Sequence, residues 1–284
     1  MYNNNMMEIM FRYIVSKKYD CVTLEEFFKS FCLGKDKINS LIFGKNVLIN
    51  NKKILDKKNE IKWNDEIIVK INAPIIAPFA CELDVLYEDD NILVVNKPPK
   101  MLIHPDGIKE NTLLNAVYFY LQEKEKIQYA YPIHRIDYDT TGIVVFAKDP
   151  LTLSFLCAEI EKHHLVKEYV CLCHGKFDVS NGIINSKIGK NRHSKGQIIT
   201  NFGKDSESSY EVIKNGVISK VRVTIVHGRK HQIRVHMQSI GHPIVGDKIY
   251  GYEDGENLKL HFKKIVFYHP FKNKKITIQS KEIF

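Results

Sequence analysis

The stretch YPIHRIDYDTTGIVVFAKDP, residues 131–150, decides the reading of the fold. Its second half, GIVVFAK, is a continuous apolar run, the pattern of a strand buried on both faces. Asp137 lies five residues ahead of that run, with Asp139, Thr140, Thr141 and Gly142 supplying turn chemistry between them. A carboxylate on a turn braced by a buried strand is held rigidly, which suits a catalytic group. Arg135 is two residues away, and on this segment alone an ordinary Arg135–Asp137 ion pair explains the residues equally well.

Working outward, ILVVNK, KEYVCLC and VRVTIV are further short apolar runs separated by polar turns. Helical patterns fall at Thr112 to Leu121 and Pro150 to Glu161. Residues 83–284 therefore read as one mixed domain of about 200 residues. Residues 73–82, with Pro74 and Pro78, read as a linker, since each proline removes a donor and disfavours helix before it. Residues 12–72 read as a separate basic module. Thr23 and Glu26 form a capping box ahead of Leu24, Phe27, Phe28 and Phe31, Gly34 stops that helix, and Asp36 caps a second one. VLIN, an Asn50-Asn51 turn and IIVKI follow as short strands.

With 284 residues, 44% of them hydrophobic and 26% charged, the chain has the balance of a globular protein, which excludes disordered and fibrous classes. The apolar stretch Ala73 to Cys81 is too short to span a bilayer, and MYNNNMMEIM lacks an apolar signal core, so a cytoplasmic location is expected. Six cysteines without a CxxC pair read as reduced thiols. A net charge of +9 favours a polyanionic partner. Only 6 of the 42 basic residues are arginine, so their placement says more than the total, and Arg135, Arg229 and Arg234 fall inside the densest motifs.

Glycine-rich phosphate loops and the HExxH metal motif are absent. The segment VHGRKHQIRVHMQSIGHPIVGDKIYG, residues 226–251, reads as a strand over GRKHQIRVH, with Ile233 and Val235 facing the core and Lys230, Gln232, Arg234 and His236 facing away. That places His231 and His236 on opposite faces, so no metal site is expected. A polar, cationic face is costly to bury unless it lines a groove or meets a counter-charge. KEYVCLCHGKF puts Lys167 and Tyr169 on one side of another strand.

Taken in order, NKPPKMLIHP, HRIDYDTTG, KEYVCLCHG and GRKHQIRVHMQSIGHPIVGDKIYG resemble the motifs of the RluA family of pseudouridine synthases. GKDSESSYEVI and LKLHFKKIVFYHP resemble that family's middle and closing motifs, and residues 12–72 resemble the S-four-type RNA-binding domain that accompanies it. Ile136, Thr141, His227 and Phe262 depart from the usual Leu, Ser, Thr and Ala, and all four leave the charged positions intact.

The resemblance implies an α+β fold: a mixed, mainly antiparallel catalytic sheet with flanking helices beside the small N-terminal α+β module. It implies an isomerase that converts uridines in structured RNA to pseudouridine, with large-subunit ribosomal RNA the leading substrate and transfer RNA second. It implies no cofactor, no metal and no membrane partner, and a monomer is expected. By resemblance Asp137 is the essential carboxylate, acting on the anomeric carbon or on a ribose proton. Arg234 is its pairing arginine, because a guanidinium within about 4–6 Å favours the ionised carboxylate. Tyr169 lies against the target uracil, to stack or to remove the last proton. Arg135 touches RNA at the flipped nucleotide. Lys97 and His104 shape the cleft floor or contact phosphate, and Arg229 and Gln232 contact RNA. Two rival readings are a hydrolase with Asp137 as nucleophile, which wants a second carboxylate about 5 Å away, and a non-catalytic RNA-binding or ribosome-assembly protein.

Overall fold

The computed structural model describes residues 6–105, 111–124, 129–191, 196–252 and 254–284. At the N-terminus, β1 (Met6–Ile14), β2 (Val22–Thr23), α1 (Leu24–Ser30), α2 (Lys35–Phe43), β3 (Val47–Ile49), β4 (Lys52–Lys53), β5 (Glu60–Ile61) and β6 (Glu66–Pro74) build a small α+β unit. Its sheet runs β1-β6-β3-β4, and β2 pairs with β5. The Thr23–Glu26 capping box is formed, and Leu24, Phe27, Phe28 and Phe31 are all buried. Asn50 and Asn51, at φ +48° and +65°, turn β3 into β4, as asparagine does readily in that conformation.

Two details differ from the sequence reading. The unit starts at Met6 rather than residue 12, because β1 pairs along its whole length with β6, burying Ile9, Phe11 and Tyr13. Gly34 is the N-cap of α2, and Asp36 sits in its first turn, where its charge favours the helix N-terminus without capping it. The left-handed residue that closes α1 is Cys32, at φ +60°, so glycine is not needed there.

The large sheet contains β7 (Asp84–Glu88), β8 (Ile92–Lys97), β9 (Tyr131–Pro132), β10 (Thr141–Ala147), β11 (Val166–His174), β12 (Asn181–Lys190), β13 (Gln197–Ile199), β14 (Lys204–Lys214), β15 (Ile218–Ile225), β16 (Leu260–Tyr268) and β17 (Lys275–Gln279). The order is β13-β12-β14-β15-β11-β16-β10-β8-β7, with β17 on β16 and β9 on β10. Among the described residues only β10 and β16 pair in parallel. Three helices flank the sheet: α3 (Leu113–Glu123), α4 (Pro150–Glu161) and α5 (Gln232–Ser239). All seven residues of β10 are buried, with Ile143 and Val145 in one core and Val144 and Phe146 in the other, as the apolar run requires.

The segment expected to be a strand over GRKHQIRVH is instead a turn followed by α5, and Gln232 through Met237 are all buried. The I-R-V alternation imitates a strand, but the polar side chains are satisfied inside the fold rather than along an open face. His236 shows how. Ser206 donates its hydroxyl proton to the Ser186 carbonyl at 2.7 Å, so it accepts from His236 Nε2 at 3.0 Å. Gln232 donates to Ser208 Oγ at 3.1 Å, and Ser208 in turn meets His236 Nδ1 at 2.8 Å. Neutral imidazole fits this network, and burial pushes the His236 pKa down to about 4.

A pH dependence follows. The unfolded imidazole titrates near 6.5, so below that pH the unfolded chain binds the proton that the folded one refuses. Stability should be full above about pH 6.5 and fall by up to about 1.4 kcal/mol per pH unit toward pH 4 for this residue. His261, equally buried and pushed down to about 4, adds a similar slope. Urea unfolding at pH 7 and pH 5 measures this, and an unchanged midpoint would contradict it.

The small unit is packed against the large one. The Tyr13 hydroxyl donates to Asp149 Oδ1 at 3.0 Å, Phe31 and Phe271 rings lie 4.7 Å apart, and Tyr129 and Leu151 complete the small unit's core. No helix among the described residues is long and apolar enough to cross a membrane.

Candidate active site

The loop from β9 to β10 carries Arg135 and Asp137, with the Thr140 amide bonded to the Asp137 carbonyl at 3.2 Å. It borders a cleft of about 840 Å³ whose walls include Arg135, Asp137, Lys167, Tyr169, Arg229 and Arg234. Asp137 is partly open to this cleft. Arg234, from the first turn of α5, reaches it with Nη1 at 3.3 Å from Asp137 Oδ2. Two residues 97 positions apart in the chain thus meet at the cleft.

The stronger hold on Arg234 comes from a residue the sequence reading did not single out. Nε and Nη2 each donate to Asp247 at 2.7 Å, a bidentate pair in which both side chains are buried. Asp247 Oδ1 also accepts the amides of Ile249 and Tyr250, at 3.0 and 3.1 Å. The guanidinium is locked by Asp247 and presents its remaining edge to Asp137. Tyr250 covers the guanidinium at 5.2 Å from its ring centroid, accepts the Gln197 amide and contacts His231 Nδ1 at 2.8 Å. His231 Nε2 lies 3.9 Å from Asp137 Oδ2. A buried arginine demands a carboxylate, and Asp247, isolated in the GHPIVGDKIYG turn, was the legible signal.

Tyr169 also borders the cleft, 7% exposed, its ring stacked on Phe262 at 4.3 Å and 10°. Burial, reinforced by the charge of Asp137, pushes its phenol well above the ordinary value. Lys167, two residues earlier on β11, also borders the cleft. Its ammonium donates to the Val226 carbonyl at 3.0 Å, and burial, aided by Arg229, pushes it down to about 8.

Of the expected RNA contacts, Arg135 is exposed at the cleft and His104 lies on its rim, held below its usual pKa by partial burial and then by Arg135. Arg229 lines the cleft while its Nε donates to the Asp205 carbonyl at 2.9 Å. Lys97 and Gln232 are different. Lys97 is 1% exposed, and its ammonium donates to the carbonyls of Pro98, Met101 and Tyr138, so it braces the loops around Asp137 and has no proton left for phosphate. Gln232 is 3% exposed, donates to the Glu207 carbonyl and Ser208, and accepts the Arg229 amide, so it shapes the Arg229 turn from within. Of the two roles expected for Lys97, shaping the cleft floor fits this placement and phosphate contact does not; Gln232, expected on an outward polar face, is turned inward by the Glu207 carbonyl and Ser208 Oγ.

The order and placement of these groups match a known family. The model of the RNA pseudouridylate synthase family fits residues 91–239, which include Asp137, Tyr169 and Arg234. A Bacillus subtilis protein described as an uncharacterized RNA pseudouridine synthase, YhcT, is 32% identical over 247 residues, covering 82% of this chain and 80% of that protein. Ribosomal large subunit pseudouridine synthase D of Escherichia coli is 32% identical over 236 residues, covering 80% of this chain and 71% of the relative. This chain belongs to the RluA family of pseudouridine synthases. Human RNA pseudouridylate synthase domain containing 1 shares its fold, with a TM-score of 0.61 at 23% identity over 70% of this chain and 83% of that structure. The synthase is therefore an isomerase acting on RNA, and its fold is the expected α+β arrangement around a mainly antiparallel sheet.

Proposed function

We propose that this synthase isomerises specific uridines of large-subunit ribosomal RNA through Asp137, with Arg234 holding the carboxylate in place and Tyr169 stacking on the flipped base. In the reaction the bond from ribose C1′ to uracil N1 breaks, the base turns, and C1′ bonds to C5; the C5 proton leaves and N1 gains one. Nothing is oxidised, and the step calls for an ionised carboxylate beside the sugar. The Asp137–Arg234–Asp247 chain at the cleft is the observation that carries this reading. Asp137 acts as nucleophile at C1′ or as base toward a ribose proton. Burial that pushes the phenol up leaves little phenolate at neutral pH to take a proton, which favours stacking for Tyr169. Tyr169→Phe separates the roles: a retained rate assigns stacking alone, and a lost rate assigns the hydroxyl the final proton removal as well.

Ribosomal RNA as substrate is supported by the name of the Escherichia coli relative, and by the basic N-terminal unit, which we read as an S-four-like RNA-binding module. Incubating the purified protein with separated large-subunit, small-subunit and transfer RNAs and mapping pseudouridine in each tests the choice. Modification confined to transfer RNA would overturn it.

The module is best tested in place, because removing it would uncover Tyr129 and Leu151. Lys35, Lys37 and Lys45 around α2 are exposed. Replacing all three with Ser should weaken binding to large structured RNA by about tenfold at moderate salt, and flatten the dependence of affinity on salt. The single-turnover rate on a short saturating substrate should hold. Equal affinity and equal salt dependence would remove the assigned role.

A further inference from the structure

We propose that Phe262 is a positioning residue for the isomerisation: its buried ring fixes the plane of Tyr169, so that one aromatic face only is offered to the substrate base. This rests on the reading of Tyr169 as the stacking group. Three observations carry it.

The Phe262 ring is fully buried and lies parallel behind Tyr169, 4.3 Å between centroids and 10° between planes. His134 meets Phe262 nearly edge-on at 5.4 Å and 67°, so the ring behind Tyr169 is itself pinned. Aromatic pairs in such offset-stacked and edge-to-face arrangements are mutually attractive. With Phe262 occupying one face of Tyr169, a pyrimidine entering the cleft can stack only on the other.

The strand register aims at the same pair. Tyr169 on β11 stands opposite Phe262 on β16, and the register shifts between Glu168 and Tyr169. Irregularities of this kind re-aim a side chain relative to a regular ladder.

Phe262 also ties this wall to the one bearing Asp137. Gly142, five residues after the aspartate, pairs with Phe262 in the parallel ladder. It sits at φ +110°, and a Cβ there would stand 2.4 Å from the Phe262 carbonyl oxygen. Only glycine admits this approach. Phe262 is thus in contact with both elements that must be spaced correctly around one flipped nucleotide: its backbone abuts the Asp137-bearing segment, and its ring backs Tyr169.

The test is Phe262→Leu, which fills most of the same space without a flat face, with Phe262→Met as a second variant should Leu pack poorly. RNA affinity, the single-turnover rate at saturating enzyme and the urea midpoint are measured alongside Tyr169→Ala. The expected result is a rate about tenfold lower, the scale of one aromatic stacking contact, with affinity within about twofold of wild type and a near-native urea midpoint. A wild-type rate in both Phe262 variants, with Tyr169→Ala impaired, would overturn the inference while sparing the role of Tyr169. A wild-type rate in Tyr169→Ala would overturn the stacking role and the inference with it. Parallel loss of affinity, rate and stability in both Phe262 variants would overturn it too, since ordinary packing explains that pattern.

Discussion

Asp137→Asn should leave the synthase folded and able to bind RNA, while its single-turnover rate of pseudouridine formation falls by about a thousandfold or more. The expected scale is that of a group acting directly on the reacting atoms, where each 1.36 kcal/mol of lost transition-state stabilisation is a factor of ten. Asparagine keeps the volume of aspartate, removes its charge and keeps one acceptor oxygen, the other becoming an NH2 donor. The fold should tolerate this because Asp137 is not the principal partner of Arg234: its contact is a single one at 3.3 Å, whereas Asp247 makes two at 2.7 Å. The guanidinium therefore stays neutralised after the substitution. Filter binding, urea unfolding and single-turnover assays on one preparation separate the effects. A rate near wild type would remove Asp137 from the chemistry, and a collapsed fold would show that the loop depends on its charge.

The second large effect is expected at Asp247. Alanine there leaves Arg234 with 6% of its side chain exposed, no bidentate partner, and the amides of Ile249 and Tyr250 without their acceptor. Removing one member of a buried pair costs about 3–5 kcal/mol, because the remaining charge stays desolvated. For a chain of this size that lowers the melting temperature by about 10 °C or more. The rate should fall as well, since Arg234 would be free to swing toward Asp137 or out of the site. Pairing the change with Arg234→Met should restore much of the stability without restoring the rate, because a buried ion pair replaced by apolar groups is often neutral for folding. A double variant that is both stable and active would show that the pair serves packing alone.

Much of this architecture was legible in the amino-acid order. β10 was readable because burial on both faces leaves an unbroken apolar run, and α4 because its helical pattern runs from Pro150 to Glu161, where the structure has it. Asp137 was readable because it stands just ahead of that strand among turn residues. The segment from residue 228 to 236 was not readable in the same way. Its alternation of apolar and charged residues satisfies a strand, and what makes it a helix is tertiary: a carboxylate 13 residues downstream, three serines on two other strands, and His231 at φ +56° ahead of the first turn. Gln232 and the phosphate role of Lys97 were misdirected for a related reason, since their acceptors are largely backbone carbonyls brought near only by folding. Polar residues whose partners are distant or peptidic read as surface until the chain is closed around them.

The most direct test of the central claim follows the two products of a single reaction. RNA tritiated at uracil C5 is incubated with the wild-type protein and with Asp137→Asn, and both released tritium and free uracil are measured. A charged carboxylate that isomerises the nucleotide predicts one tritium released per pseudouridine formed by the wild type, no free uracil, and neither product from the variant. Free uracil from the wild type would make the cleft that of a hydrolase, and tritium release by the variant at the wild-type rate would place the chemistry somewhere other than Asp137.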